Sequence, residues 1–585
     1  MRKMLWRALI LFWIFVVLAG QGFTQKQKPG ARENSPLLSP SAQVDLLFAD
    51  RDNRQKPGAS VAVVRDGTVL LQKGYGSANL EYGLPVTTST LFQVASVSKQ
   101  FTAFAVLLLE EEGKVSMGDD IRKYIPEVPH FGKVITLRHL AWHTSGLRDQ
   151  WSLLALGGWR LDDVITREHI LRLISWQKEL NFDPGEKYLY SNTGYTLLAE
   201  VVSRVSGMPF TEFTRRRIFE PLGMKHTFFC EDHEQVIRNR AYSYYPEEEI
   251  YKKSVLNYSI AGATSLFTTV EDLILWVSNF GEPRVGNRHM IRKMRERGVL
   301  NSGEPVNYAM GQIIGTYRGW DMISHSGSDA GFQAFLARIP EHHFAVMVLS
   351  NDASINAVAT GQRIADIYLR PVGRRQPISD RQGWRRSGQG DGKPEPEGPI
   401  VLPHDKLASY CGNYWNEEDA YLVRVCLRED TLRYLLSENY ERAIIPVGAN
   451  EFKMLGLSDD IRLFFKHISH QERWMEMSVN GRPPVILNAY FPIDYTPDKL
   501  NRFVGTYFSP ELASWYRLER SGDRLVAVHR RHRDILLEPF GIDLFQGEAW
   551  FFRKVQFIRD ANGRVKGFNV SSRRVKDLWF EKLGS

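Results

Sequence analysis

The chain has 585 residues, of which 43% are hydrophobic and 24% charged, an ordinary globular composition that excludes a disordered chain or a bundle of membrane helices. The formal charge of +8 draws on the N-terminus and on an arginine-rich linker, and no nucleic-acid-binding module accompanies it, which excludes a nucleic-acid partner. Cys230, Cys411 and Cys426 are too few for a disulfide scaffold.

At about 100 to 200 residues per domain the length predicts about three domains. In chain order, Arg2, Lys3 and Arg7 precede an apolar run from Ala8 to Gly20 and then small and polar residues. This pattern predicts a signal peptide over residues 1–25 and export to the periplasm or the exterior. The run is short against the roughly 20 residues that cross a bilayer, and no other segment reads as membrane-spanning, so no stable membrane span is expected after cleavage.

Residues 40–370 mix helix and strand patterns. "ASVAVVRDGTVLLQKGYG" reads as a β-hairpin turning at Asp66 and Gly67. A second strand pair, "FQAFLARIP" and "HFAVMVLSN", turns at Pro340 and Glu341 and leads into an amphipathic helix from about 355 to 369. One antiparallel sheet built from both ends of this region, with helices between, is the economical arrangement. Residues 371–402 are rich in Pro, Gly and charge and read as a disordered or extended linker.

Beyond the linker the pattern becomes short β-type runs with an internal repeat. "DKLASYCGNY" from Asp405 matches "DKLNRFVGTY" from Asp498, an offset of 93 residues that also relates Leu432 to Leu525, Pro446 to Pro539 and Phe452 to Phe545. This predicts two copies of a small all-β domain, at 403–495 and 496–585, each a barrel or sandwich. Tyr414, Trp415, Tyr507 and Trp579 read as core aromatics of these units. Cys411 and Cys426 either face each other across a hairpin or remain as free buried thiols. His529 and His532 read as part of an arginine-rich strand without metal-site spacing.

Three short motifs carry chemistry. In "SVSK", a helix starting near Ser96 brings Lys99 round to the same face one turn later, and the unpaired N–H groups at a helix start suit an oxyanion formed in acyl transfer. The following "FTAFAVLLL" is apolar nearly all round, as in a buried helix. In "YSN", Tyr190 is a phenol that a neighbouring lysine and serine can pull towards ionisation as a general base, and Asn192 offers a donor and an acceptor to a substrate amide. In "HSG", His325 and Gly327 enter the second strand pair, where a glycine lets a ligand approach the backbone closely and the N–H of Ser328 supplies a second oxyanion donor.

The order SxxK, YxN, HxG within one mixed domain resembles the serine β-lactamase and penicillin-binding protein superfamily, and the tyrosine in the second motif resembles its class C β-lactamase, DD-peptidase and esterase branch. The resemblance covers residues 40–370 and implies an α+β, β-lactamase/transpeptidase-like fold. It implies Ser96 as the acyl-accepting nucleophile, Lys99 and Tyr190 as its proton-handling partners, Asn192 as a substrate ligand, and His325 and Gly327 on the far wall of the cleft. The N–H groups of Ser96 and Ser328 form the implied oxyanion hole. "LAWHTSGL" at 140–147 resembles a structural segment of the same family.

Histidine replaces the lysine that β-lactamases of this branch carry in the third motif. A mostly neutral imidazole attracts the carboxylate of a β-lactam weakly. A catalytic domain followed by two β-barrels, lipocalin-like in kind, resembles the D-stereospecific aminopeptidases, whose barrels help shape the cleft. In this chain the barrels do that, hold the protein at the cell wall, or close a homodimer; the oligomeric state is open. The resemblance therefore implies an exported serine hydrolase acting without a cofactor or metal on small molecules or short peptides. Peptides with D-residues or cell-wall fragments come first, small esters second and β-lactams third, and the rival is a non-catalytic sensor of wall fragments.

Overall fold

Asp66 and Gly67 take φ of 49° and 74°, the left-handed pair that a two-residue hairpin turn requires. The flanking strands are β1 (Ala59–Arg65) and β2 (Thr68–Tyr75). Four later strands, β3 (Ile313–Tyr317), β4 (Trp320–Asp329), β5 (Phe332–Ile339) and β6 (Phe344–Ser350), complete an antiparallel sheet of order β3-β4-β5-β6-β1-β2. Both ends of the region thus meet at the β1–β6 pair, where Val61 lies opposite Val348 and Val63 opposite Val346. In this computed structural model the described residues are 38–369 and 400–584, apart from 419, 438–439, 456–459, 468–471 and 480–483. The expected signal peptide and residues 371–399 of the expected linker lie outside them.

The two-residue period of β1 divides its side chains between two cores. Val61 and Val63 pack with Phe48 of helix α1 (Pro40–Phe48) and with Ile364 on a helix formed by Ala357–Leu369. Ala62 and Val64 face the opposite way, into a larger core that holds most of the helices. At its centre is α2 (Ser98–Glu111), buried at every position from Ser98 to Leu109, and packed against α3 (Asn192–Ser206). Side chains such as Phe101, Phe104 and Leu107 each contribute about 2 kcal/mol on burial. Their sum is enough to take Lys99, on the same helix, completely out of water.

The repeat resolves into two closed antiparallel barrels, with strands running from Gly412–Asn416 to Val485–Tyr490 and from Gly505–Ser509 to Leu578–Leu583. The first strands are offset by the same 93 residues that the sequence shows. Each barrel also repeats one tie to the turn that follows the short helix before it: Tyr414 Oη donates to Tyr410 O at 2.9 Å, and Tyr507 Oη to Phe503 O at 2.7 Å. Trp415 packs at a tilt against Phe540 of the other barrel, 4.8 Å between centroids, so this aromatic joins the barrels. All three cysteines are free thiols, and Cys411 and Cys426 are half-buried rather than buried. His529 and His532 lie in the turn between strands Arg524–Val528 and Ile535–Gly541, not in a strand. His532 Nε2 sits 2.7 Å from Ala155 O of the N-terminal domain, and a turn reaches across that junction where a paired strand cannot.

The second barrel is fused to the N-terminal domain through a shared apolar core. Within the junction Arg148 Nη1 lies 2.7 Å from Glu511 Oε2, both side chains being almost completely buried, and Tyr516 Oη donates to Leu156 O at 3.1 Å. Among the described residues no helix is long and apolar enough to cross a membrane.

Candidate active site

Ser96 sits in a 3-10 turn, Ala95–Val97, immediately before α2, rather than inside the α-helix. Ala95 is held at φ 47°, where an L-residue is strained, while Gln93 Oε1 accepts its N–H at 2.8 Å. Strand β4 presses on this turn. A Cβ added to Gly327 would stand 2.3 Å from Val94 O and 3.1 Å from Ser96 N, so only glycine lets the third motif reach the first. Ser96 itself is half-buried.

Lys99 is fully buried, and its Nζ lies 3.0 Å from Ser96 Oγ, 2.9 Å from Asn192 Oδ1 and 2.8 Å from Ala263 O. Burial, and then the positive charge of Arg574, holds its pKa well below the ordinary value. A neutral amine has two N–H donors and one lone pair. Asn192 Oδ1 and Ala263 O can only accept and take the two donors, which leaves the lone pair for the Ser96 hydroxyl proton. Asp149 fixes the Asn192 amide in this orientation, because its carboxylate accepts from Asn192 Nδ2 at 2.9 Å and from the Asn192 backbone N–H at 2.8 Å.

Tyr190 lies beside this group, with its ring centroid 4.9 Å from Lys99 Nζ. The phenolic oxygen is buried and makes no hydrogen bond of full geometry, although the Ser96 hydroxyl lies near enough to act on it. Burial pushes its pKa upward, and the Ser96 hydroxyl and Arg574 only partly pull it back. The expectation of a phenol drawn towards ionisation is therefore corrected: desolvation outweighs the nearby charges, and Tyr190 keeps its proton near neutral pH.

His325 is buried, and burial followed by the Lys99 charge lowers its pKa to about 3. Its Nδ1 donates to Ser326 O at 2.6 Å, so Nε2 is bare and accepts from Tyr308 Oη at 2.9 Å. Both nitrogens are occupied within the protein. The ring lies 6.2 Å from that of Tyr190, yet offers a substrate carboxylate no charge. Ser328 is exposed at the edge of the site and its Oγ accepts from Gln333 Nε2 at 3.0 Å.

Several residues at the site carried no motif. His143, in the segment expected to be structural, packs its ring at a tilt against Tyr190, 4.1 Å between centroids, and accepts the Ser191 N–H through Nδ1 at 3.2 Å. Arg574, from the second barrel, places its guanidinium 4.8 Å from the Tyr190 ring centroid and 3.8 Å from Asp149 Oδ2.

The profile of the family described as Beta-lactamase matches residues 44–368, more than half of the chain. The chain belongs to the Beta-lactamase family. All seven positions singled out from the sequence, Ser96, Lys99, Tyr190, Asn192, His325, Gly327 and Ser328, fall within the matched stretch, whereas both barrels and Arg574 fall outside it. Over 311 residues the chain is 28% identical to a D-aminopeptidase of Gluconobacter oxydans, covering 53% of this chain and 58% of that protein. It is 27% identical over 327 residues to penicillin-binding protein 4* of Bacillus subtilis, covering 53% and 71%. The chain thus spans little more than half the length of the first of these relatives. The octameric penicillin-binding protein homologue from Pyrococcus abyssi superposes with a TM-score of 0.52 at 24% identity, over 76% of this chain and 99% of that one, a likeness of fold.

Proposed function

We propose that this Beta-lactamase family member is an exported serine hydrolase that forms an acyl-enzyme at Ser96 and acts on D-residue peptides or peptidoglycan-derived fragments. The observation that carries the reading is the Lys99 amine, buried, 3.0 Å from Ser96 Oγ and with both remaining partners acceptors. In acylation Ser96 Oγ bonds to the scissile carbonyl carbon and its proton passes to Lys99 Nζ. The carbonyl π pair moves to oxygen, where the N–H groups of Ser96 and Ser328 are the proposed donors. On collapse the bond to the leaving amine breaks, and the protonated Tyr190 hydroxyl is the proposed proton donor to it, regaining a proton from Lys99. Water then releases the acyl group.

The D-aminopeptidase and penicillin-binding protein relatives support D-residue substrates, and the basic and apolar N-terminal segment supports export. A neutral fluorophosphonate tests the chemistry. It is expected to label the full chain and to leave Ser96→Ala unlabelled; equal labelling of both, or of neither, would return the cleft to the role of a binder. Comparing D-alanine amide, a D-Ala-D-Ala peptide, a nitrophenyl ester and a chromogenic cephalosporin ranks the substrates.

A further inference from the structure

Arg574 belongs to the connection between the last two strands of the second barrel, Val565–Ser571 and Leu578–Leu583. Neither the SxxK, YxN and HxG motifs nor the family match reaches it. Its backbone is nevertheless tied to the N-terminal domain, because Arg574 O accepts from Asn181 Nδ2 at 3.0 Å and from the Asp149 N–H at 3.2 Å. Two residues on, Lys576 N donates to Asn181 Oδ1 at 2.8 Å, and Lys576 O accepts from the buried Arg148 at 2.9 Å. The connection is therefore clamped at Arg574 itself and two residues beyond it, which delivers the side chain to one place.

That place is the face of Tyr190, and the side chain remains 32% exposed. The guanidinium makes no hydrogen bond to protein among the described residues. Its nearest carboxylate, Asp149, stands 3.8 Å off and already accepts from Asn192 through Oδ2 and from Trp151 N through Oδ1. The planar fork of N–H donors thus keeps hydrogen-bonding capacity beyond its loose ion pair with Asp149. The His325 imidazole is neutral and spent on Tyr308 and Ser326, and the Lys99 amine is enclosed by its three partners. Arg574 is thus a charged group beside the cleft that makes no hydrogen bond among the described residues and only a loose ion pair, with Asp149.

We propose that Arg574 is a specificity-determining residue supplied by the second barrel, and that it recognises a carboxylate carried close to the scissile carbonyl. This rests on the acyl-enzyme reading above and refines its substrate class. Peptides ending in a free D-residue carboxylate are favoured over their amides, because a guanidinium fork binds a carboxylate through paired, charge-assisted hydrogen bonds. A substrate that must place a free ammonium at the same point is disfavoured.

The test compares kcat/KM for a D-Ala-D-Ala peptide with a free C-terminus and for its C-terminal amide, in the full chain and in Arg574→Gln and Arg574→Lys. Wild type is expected to prefer the acid by about tenfold or more, the effect of one charge-assisted contact. Arg574→Gln should lose that ratio mainly through KM, and Arg574→Lys should restore part of it. A wild type indifferent to the carboxylate, or a ratio unchanged in Arg574→Gln, overturns the inference. So does an equal loss on both substrates that Lys fails to rescue, since that marks a purely structural loop. Fluorophosphonate labelling dependent on Ser96 separates the two readings: if labelling holds and the ratio does not move, only the role of Arg574 falls.

Discussion

Asp149 holds Asn192 by two bonds to one carboxylate oxygen, to the backbone N–H at 2.8 Å and to Nδ2 at 2.9 Å, and thereby turns Asn192 Oδ1 towards Lys99. The lysine does not choose its partners; they are set by a carboxylate on the far side of the amide. Asp149 in turn caps the helix Gln150–Leu156 and meets Arg574. One buried acid thus links the first motif, the second motif and the second barrel.

Lys99→Met is expected to lower the rate at which a fluorophosphonate acylates Ser96 by about 10²- to 10⁴-fold, the usual weight of a general base. Lys99→Arg should not rescue it, because a guanidinium retains its proton. A labelling time course decides, and wild-type rates in Lys99→Met would remove the lysine from the chemistry.

Gly327→Ala places a methyl 2.3 Å from a backbone oxygen, a contact that no rotamer relieves. The expected cost is about 1 to 3 kcal/mol of stability, with slower acylation because β4 is pushed from the Ser96 turn. Urea denaturation and the same labelling assay give the two readouts. An unperturbed variant would mean that β4 and the Ser96 turn do not touch.

Glu511→Ala leaves Arg148 buried beside an empty site where a carboxylate stood at 2.7 Å and removes the acceptor of the Lys178 N–H. Breaking one side of a buried ion pair costs about 3 to 5 kcal/mol. Because this pair joins the second barrel to the N-terminal domain, calorimetry of the full chain should show a lower Tm and acylation should slow as Arg574 leaves Tyr190. An unchanged Tm would show that the pair contributes nothing to docking.

The pH dependence of kcat/KM follows from the Lys99 environment. The amine must be neutral to accept a proton, so activity rises with pH through its pKa, which burial first and Arg574 second depress. Removing the Arg574 charge lifts one of these causes and raises that pKa. The acidic limb of the profile in Arg574→Gln is therefore expected to move to higher pH. A limb that stays in place, or moves to lower pH, contradicts the electrostatic coupling.

Where a feature depended on neighbours in sequence it was legible. The three-residue spacing of Ser96 and Lys99 needs only helical geometry, the hairpin at Asp66 and Gly67 only turn chemistry, and the barrel repeat only a register of 93 residues. The greasy stretch after Lys99 announced a buried helix, and the helix is buried. What depends on distant segments is not legible. Nothing near His143 in the chain marks the contact of its ring with Tyr190. The motif displays only the lysine and serine near Tyr190, whereas the desolvation that keeps its proton is a property of everything packed around the ring. The apolar pattern on either side of His529 and His532 reads as strand and conceals a turn that meets another domain.

The sequence by itself determined which chemical groups this protein can bring to bear, and the periodic elements that present them, since helix phase, turn residues and repeats are local properties of the backbone. Only the tertiary structure decided how those groups are charged and what joins them. Burial and Coulomb forces act through space, and an arginine from near the C-terminus changes a lysine near the start only once the second barrel has docked.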